Sequence, residues 1–221
     1  STSMTETVNI PNNTPTKTGY TFGGWFDNES CTGSAITTIA ASSTGDKTFY
    51  AKWTANTYTV TLDQTDAETQ GVTSIEVTYD TEMPSIAEQL PKRTGYHFGG
   101  YFTEKNGSGT QYYNQEGTAY HNKKWDKTSD TQLYIKWIAN NYTVIFNANG
   151  GAGTMENQKF TYDTEQALNA NTFTRTGYTF AGWKTNPTSG DSYSDKEVVK
   201  TIKEGLKRTG GYCPCLIERS E

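Results

Sequence analysis

The chain has 221 residues, a formal net charge of −5 and two histidines, His97 and His121. Apolar residues make up 33% and aromatic residues 13%, with 15 Tyr, 9 Phe and 5 Trp. That balance excludes a basic nucleic-acid surface and a bilayer-spanning apolar run. It leaves little material for acid–base chemistry and points to small cores built on aromatic rings.

The first recognisable element is Lys17-Thr18-Gly19-Tyr20-Thr21-Phe22-Gly23-Gly24-Trp25, followed by Tyr50-Ala51-Lys52-Trp53. From Asn56 to Ala139 the pattern is fuller. Tyr58-Thr59-Val60-Thr61-Leu62 alternates, Asp66 to Gly71 makes a polar turn, and Ser74 to Tyr79 alternates again, which predicts a hairpin. Thr81 to Leu90 places Met83, Ile86, Ala87 and Leu90 at helical spacing, but Pro84 limits the segment to a short helix or a turn. Tyr96-His97-Phe98 begins a strand that runs into Gly99-Gly100, a pair expected to mark a bulge or a close backbone approach. Leu133 to Trp137 closes the unit. A third series opens at Tyr142-Thr143-Val144 and reaches Arg175 to Trp183 without a closing Leu-Tyr-x-Lys-Trp.

The signature (Lys/Arg)-Thr-Gly-Tyr-x-Phe therefore occurs three times, and Thr78-Tyr79-Asp80-Thr81-Glu82 returns as Thr161 to Glu165. Gly19 and Gly95 are 76 residues apart, and Gly95 and Gly177 are 82 apart. Solenoid units run about 20 to 50 residues, so these read as small tandem domains. The expected division is a partial unit at 1–55, a complete one at 56–139, an incomplete one at 140–194 and a tail at 195–221. In the tail, Ser194-Asp195-Lys196-Glu197 is a capping-box pattern. With Val198, Val199, Ile202 and Leu206 it predicts a helix from Ser194 to Arg208 that covers the third unit. The expected fold class is α+β, mostly β: tandem β-grasp-like repeats, each with one helix on a mixed sheet, and a C-terminal helix. The opening Ser-Thr-Ser, without Met, reads as a processed or excised fragment.

Candidate chemistry is sparse. Cys213 and Cys215 are the candidates for metal or redox work, but metal pairs usually have two or more intervening residues, and free thiols are the simpler reading. Cys31 reads as a lone accessible thiol. His97 fills the x of Gly-Tyr-x-Phe, where the other copies have Thr21 and Thr179, so it reads as solvent-facing. His121 lies in a charged loop. Asn147 to Gly153 could cradle a phosphate, but a strand pattern follows it where a helix is required, so a hairpin turn is expected. Trp25, Tyr101 and Trp183 are either glycan platforms or core residues, and core is favoured. Tyr112-Tyr113-Asn114 is a further candidate for binding glycan or protein.

These motifs resemble the Listeria–Bacteroides repeat, also seen as the B-repeat of internalins, over roughly residues 15 to 193. The likeness rests on the Tyr-x-Val strand, the Tyr-Asp turn, Gly-Tyr-x-Phe-x-Gly-Trp and the closing Tyr-Ala-x-Trp. It implies a β-grasp-like module of large bacterial surface or secreted proteins, with no general catalytic activity. Separately, Lys203 to Cys215 resembles the start of the ferredoxin-thioredoxin reductase catalytic subunit. That likeness implies a cluster ligand at Cys213 and a disulfide cysteine at Cys215, yet the chain has three cysteines where a cluster needs four thiolates. The tail then reads as a fusion remnant or as a segment recruited to finish the fold.

The expected function is a non-catalytic spacer or adhesive region at the bacterial cell surface, with no catalytic residues, metal or cofactor. Its expected partner is a host or cell-wall protein or glycan. The alternatives are a redox-protein fragment and a glycan- or protein-binding module.

Overall fold

In the computed structural model, which describes residues 6–10, 14–185 and 191–202 and the backbone of 212–215, alternation in sequence becomes alternation in burial. Strand Thr57–Leu62 turns Val60 and Leu62 inward and Thr59 and Thr61 outward. It pairs antiparallel with Ser74–Thr78, setting Val60 opposite Ile75. On its other side it runs parallel to the closing strand Thr131–Ala139, setting Leu62 beside Leu133. The five-stranded sheet has the order Ser74–Thr78, Thr57–Leu62, Thr131–Ala139, Tyr96–Phe102, Gln111–Tyr113. The chain divides into two compact units, one of residues 1–65, 70–90 and 100–136 and the other of 66–69, 91–99 and 137–221.

The paired glycines do mark bulges. Tyr20–Phe26 pairs with Tyr50–Ala55, and the register shifts between Phe22 and Trp25, across Gly23-Gly24. In the middle repeat the shift falls between Tyr101 and Phe102, next to Gly100. A Cβ on Gly100 would sit 2.2 Å from the Tyr113 carbonyl oxygen, and its φ is +109°. No other residue fits that backbone.

The third repeat builds its hairpin from Asn141–Phe146 and Gln158–Thr161, with Tyr142 opposite Phe160. Its core gathers Tyr142, Val144, Phe146, Phe160, Phe173 and Trp183, with Leu168, Val199 and Ile202 from its flank. Asn147 to Gly153 belongs to the hairpin connection. The Gly151 N–H donates to the Ala148 carbonyl at 2.9 Å across Asn149 (φ 44°) and Gly150 (φ 81°), a primed turn of the kind hairpins favour.

The α+β expectation is overturned. Among the described residues the helical segments are two 3₁₀ turns, Lys105–Gly107 and Tyr120–Asn122, so the helix that a β-grasp requires is not there. Thr81 to Leu90 takes the turn alternative. The N–H of Met83 donates to the Lys123 carbonyl and that of Ile86 to the Gly117 carbonyl, while both side chains stay buried. Pro84 has no N–H to give, and its neighbours spend theirs on other segments.

The C-terminal helix is likewise overturned over its described part, while 203–208 lie outside the described residues. Half of the capping box forms: the Glu197 carboxylate accepts from the Ser194 N–H at 3.2 Å. It closes a turn, however, with Lys196 at φ 60° and the Glu197 N–H on the Ser194 carbonyl. Val198–Val199 then pairs antiparallel with Gln166–Ala167. Two adjacent β-branched residues suit a strand, and a free edge lies within reach. The middle repeat does the same at this place. There the turn Tyr120–Asn122 leads to Lys124, which bridges Glu82, and to Trp125, whose N–H donates to the Thr81 carbonyl. Residues 194–199 are thus a repeat element.

Farther on, Tyr212–Cys215 runs parallel to Asn141–Phe146, with Cys213 beside Val144 and Cys215 beside Phe146. Thr131 and Leu133 hold the matching places beside Val60 and Leu62. The tail therefore fills the closing-strand position with a strand.

Candidate functional site

Among the described residues a turn-on-turn junction is built twice. The Tyr20 N–H donates to the Lys17 carbonyl at 3.0 Å, with Gly19 at φ +77°. Such a turn needs positive φ at its third residue, hence glycine. The Tyr96 N–H donates to the Arg93 carbonyl at 3.1 Å with Gly95 at φ +76°, and the Tyr178 N–H to the Arg175 carbonyl at 3.0 Å with Gly177 at φ +78°. In each turn the cation lies over the tyrosine ring, at 4.2 Å for Lys17, 4.0 Å for Arg93 and 3.9 Å for Arg175.

Two of these turns are covered by the Tyr-Asp turn of the following repeat. A Cβ on Gly19 would lie 2.3 Å from the Tyr79 ring, and one on Gly95 would lie 2.3 Å from the Tyr162 ring. Each glycine is thus pressed against an aromatic face. Tyr20 meets Tyr79 edge-on at 5.7 Å and Tyr96 meets Tyr162 at 5.5 Å. The Tyr20 hydroxyl donates to Asp80 at 3.4 Å and the Tyr96 hydroxyl to Asp163 at 3.0 Å. Lys124 reaches Asp80, and Lys200 reaches Asp163. Both acceptor turns put the aspartate at positive φ, 56° for Asp80 and 62° for Asp163.

A single asparagine stitches each pair. The Asn56 N–H donates to the Gly19 carbonyl and the Asn56 carbonyl accepts from Tyr79, both at 2.9 Å. Asn140 does the same between Gly95 and Tyr162, both at 2.8 Å. The Asn side chains are held as well, Asn56 Oδ1 by the Thr21 hydroxyl at 2.5 Å and Asn140 Oδ1 by His97 Nδ1 at 2.7 Å. The loss of water around the ring, then the Asp80 charge, raises the Tyr20 hydroxyl pKa. Loss of water, then the hydrogen bond to Asp163, raises that of Tyr96.

The sequence profile of the Listeria-Bacteroides repeat domain matches residues 1–52, 58–136 and 142–204. The chain belongs to this repeat family. It is 32% identical over 149 residues to a protein of Evansella cellulosilytica described as a Gly-rich membrane protein, covering 63% of this chain and 16% of that protein. A second Evansella protein, described as a membrane protein, is 31% identical over 180 residues, 76% of this chain and 23% of its own length. Internalin H of Listeria monocytogenes is 38% identical over 95 residues, 42% of this chain and 16% of the internalin. The chain thus spans less than a quarter of the length of these relatives.

Within this Listeria-Bacteroides repeat chain, the residues singled out in sequence fall in separate places. Tyr101 and Trp183 are buried, whereas Trp25 is half-buried against Phe22 at 5.3 Å. Tyr112 and Tyr113, read as exposed binding candidates, are core residues instead. The Tyr112 hydroxyl donates to Asp126 and the Tyr113 hydroxyl to the Pro84 carbonyl. Their polar tips mimic a surface composition, and each tip is satisfied inside.

His97 is exposed as expected, but it serves the junction through Asn140. His121 stands on an exposed turn beside Tyr120. Cys31 is a free thiol, half-buried, with Sγ 3.8 Å from the Ala51 carbonyl. The side chains of Cys213 and Cys215 lie outside the described ones. Among the described residues no three His, Cys, Asp or Glu side chains converge as metal ligands, and no helix is long and apolar enough to cross a membrane.

The junction partners Asn56, Asn140, Tyr79 and Tyr162 are what sequence reading missed. The recurrence of Gly-Tyr and of Tyr-Asp was visible. That one motif seats on the other across a repeat boundary was not.

Proposed function

We propose that this chain is a non-catalytic repeat region of a bacterial surface or secreted protein, acting as a spacer that holds other domains apart. The observation that carries the reading is the junction built twice with the same Gly, Tyr, Asn, Tyr and Asp. A joint rebuilt with the same residues suits a tandem array in which each repeat leans on its neighbour. The names of its relatives, two described as membrane proteins and one as an internalin, support a place at the cell surface.

Adhesion to a host or cell-wall protein or glycan is the second use of the same scaffold. Its strongest sequence support was Tyr112 and Tyr113, and burial of both rings weakens it. Small-angle scattering on the intact chain, together with binding to glycan arrays and host-cell surfaces, separates these readings. The spacer reading expects no saturable binding and a radius of gyration well above the roughly 17 Å of a compact 221-residue domain. Saturable binding would favour adhesion, and a compact radius would overturn the spacer.

A further inference from the structure

The first repeat keeps its closing strand but, among the described residues, has no hairpin against it. In the middle repeat the closing strand starts at Thr131, and its first residues run parallel to Thr57–Leu62. There the Asp63 N–H donates to the Leu133 carbonyl at 2.9 Å, and the Ile135 N–H to the Asp63 carboxylate at 3.4 Å. Tyr50-Ala51-Lys52-Trp53 matches Tyr134 to Trp137, so Lys47, Thr48 and Phe49 match Thr131, Gln132 and Leu133. Those three make no hydrogen bond among the described residues, and the strand starts only at Tyr50.

The side chains of the same face differ accordingly. Leu133 is 0% exposed and Ile135 6%, whereas their counterparts Phe49 and Ala51 are half-buried. Tyr101 and Trp183 are 0% and 1% exposed in repeats that have a hairpin, whereas Trp25 at the same place is half-buried. One position is covered twice and open once.

We propose that this edge and face are a docking site for the opening hairpin of a further repeat of the same family, added as a strand parallel to residues 47–53. The occupant follows from the two filled copies. Thr57–Leu62 and Asn141–Phe146 both carry Tyr-Thr-Val, both lie parallel to a closing strand, and both bury their valine, Val60 or Val144. A second copy of this chain does not fit, because each of these strands already has its closing strand. The inference goes beyond the spacer reading and does not rest on it.

Register supplies the test. The Ile10 N–H donates to the Thr37 carbonyl as the Met83 N–H does to Lys123 and the Leu168 N–H to Glu197. Residues 140–167 joined directly before Ile10, in place of 1–9, therefore bring in a hairpin at natural spacing. Hydrogen exchange read by mass spectrometry should then slow at least about tenfold over residues 47–53 compared with the original chain. The variant Val144→Asp, placed in the added hairpin alone, should restore the original rate by setting a charge against the apolar face. A parallel graft of residues 56–82 before Ile10 supplies a second hairpin should the first not fold.

Unchanged exchange at 47–53 in both grafts would overturn the proposal, and so would protection that survives Val144→Asp. Protection of 47–53 that grows with the concentration of the original chain would place a second copy on the edge and overturn it as well. Each of these results would leave the scattering test of the spacer reading intact, so the two failures are distinguishable.

Discussion

At the scale of single residues, aromatic rings carry the stability of this chain and glycines set its shape. Trp183 is enclosed by Phe146 and Phe180 at 4.8 Å and by Phe173 at 6.2 Å. Truncating a buried aromatic of this kind costs about 3 to 5 kcal/mol. Trp183→Ala should lose that much in urea unfolding, and Trp25→Ala distinctly less, because Trp25 is half-buried. Burial raises the hydroxyl pKa of Tyr101, Tyr112 and Tyr113 above the usual phenol value. A raised folded pKa gives stability that is complete below the unfolded value, about 10 for tyrosine, and is lost as pH climbs through the folded one. Alkaline unfolding should therefore begin near pH 10 and be steep. A flat stability profile from pH 9 to 12 would contradict this. Asp126 has the opposite sign. Burial pushes its pKa up, but hydrogen bonds from Lys123 and Tyr112 outweigh that and hold it below the ordinary range. Its contribution is present above the normal carboxylate pKa and fades as pH falls through the depressed one.

At the scale of elements, strands were legible and their partners were not. Alternation located Thr57–Leu62 and Ser74–Thr78, and the glycine pairs located bulges, because both signals are local. The segment from Ser194 to Ile202 was misread because Val198, Val199 and Ile202 fit helical spacing, while the adjacent β-branched pair Val198–Val199 equally suits an edge strand. What decides between them is the edge of Gln166–Ala167, some thirty residues earlier. The closing strand of the third repeat was missed for a related reason. Tyr212–Cys215 carries none of the Leu-Tyr-x-Lys-Trp pattern, and its position beside Asn141–Phe146 is set by the hairpin it joins. Ending the chain at residue 210 should remove that strand and cost about 2 to 4 kcal/mol, at roughly 1 kcal/mol for each lost hydrogen bond. Faster hydrogen exchange across Asn141–Phe146 is the matching local sign, and unchanged exchange there would argue that the tail strand is dispensable. Gly100→Ala should be costlier than a typical strand glycine change. It adds a positive-φ penalty of about 1 to 2 kcal/mol to a collision with the Tyr113 carbonyl.

At the scale of the whole molecule, the junction makes a repeat depend on its neighbour. Composition and recurrence showed that there were repeats; they carried no sign of the joint, because Gly19 and Tyr79 gain their meaning only when brought together. Both filled junctions use the same contacts, so Gly19→Ala and Gly95→Ala should cost similar amounts. Each incurs about 1 to 2 kcal/mol for a non-glycine residue at positive φ and about 1 to 3 kcal/mol for displacing a packed ring. Gly177→Ala, with open space at its Cβ position among the described residues, should cost the first amount alone. Nearest-neighbour coupling of this kind gives each repeat part of its stability through its interface. Residues 56–139 expressed alone should therefore unfold cooperatively but at a lower urea midpoint than the same residues in the intact chain, since the Tyr79 ring loses Gly19 and Gly95 loses the Tyr162 ring. Equal midpoints would mean that the junctions orient the repeats without stabilising them, and equal costs at all three glycines would mean that the tyrosine rings contribute nothing beyond the backbone strain.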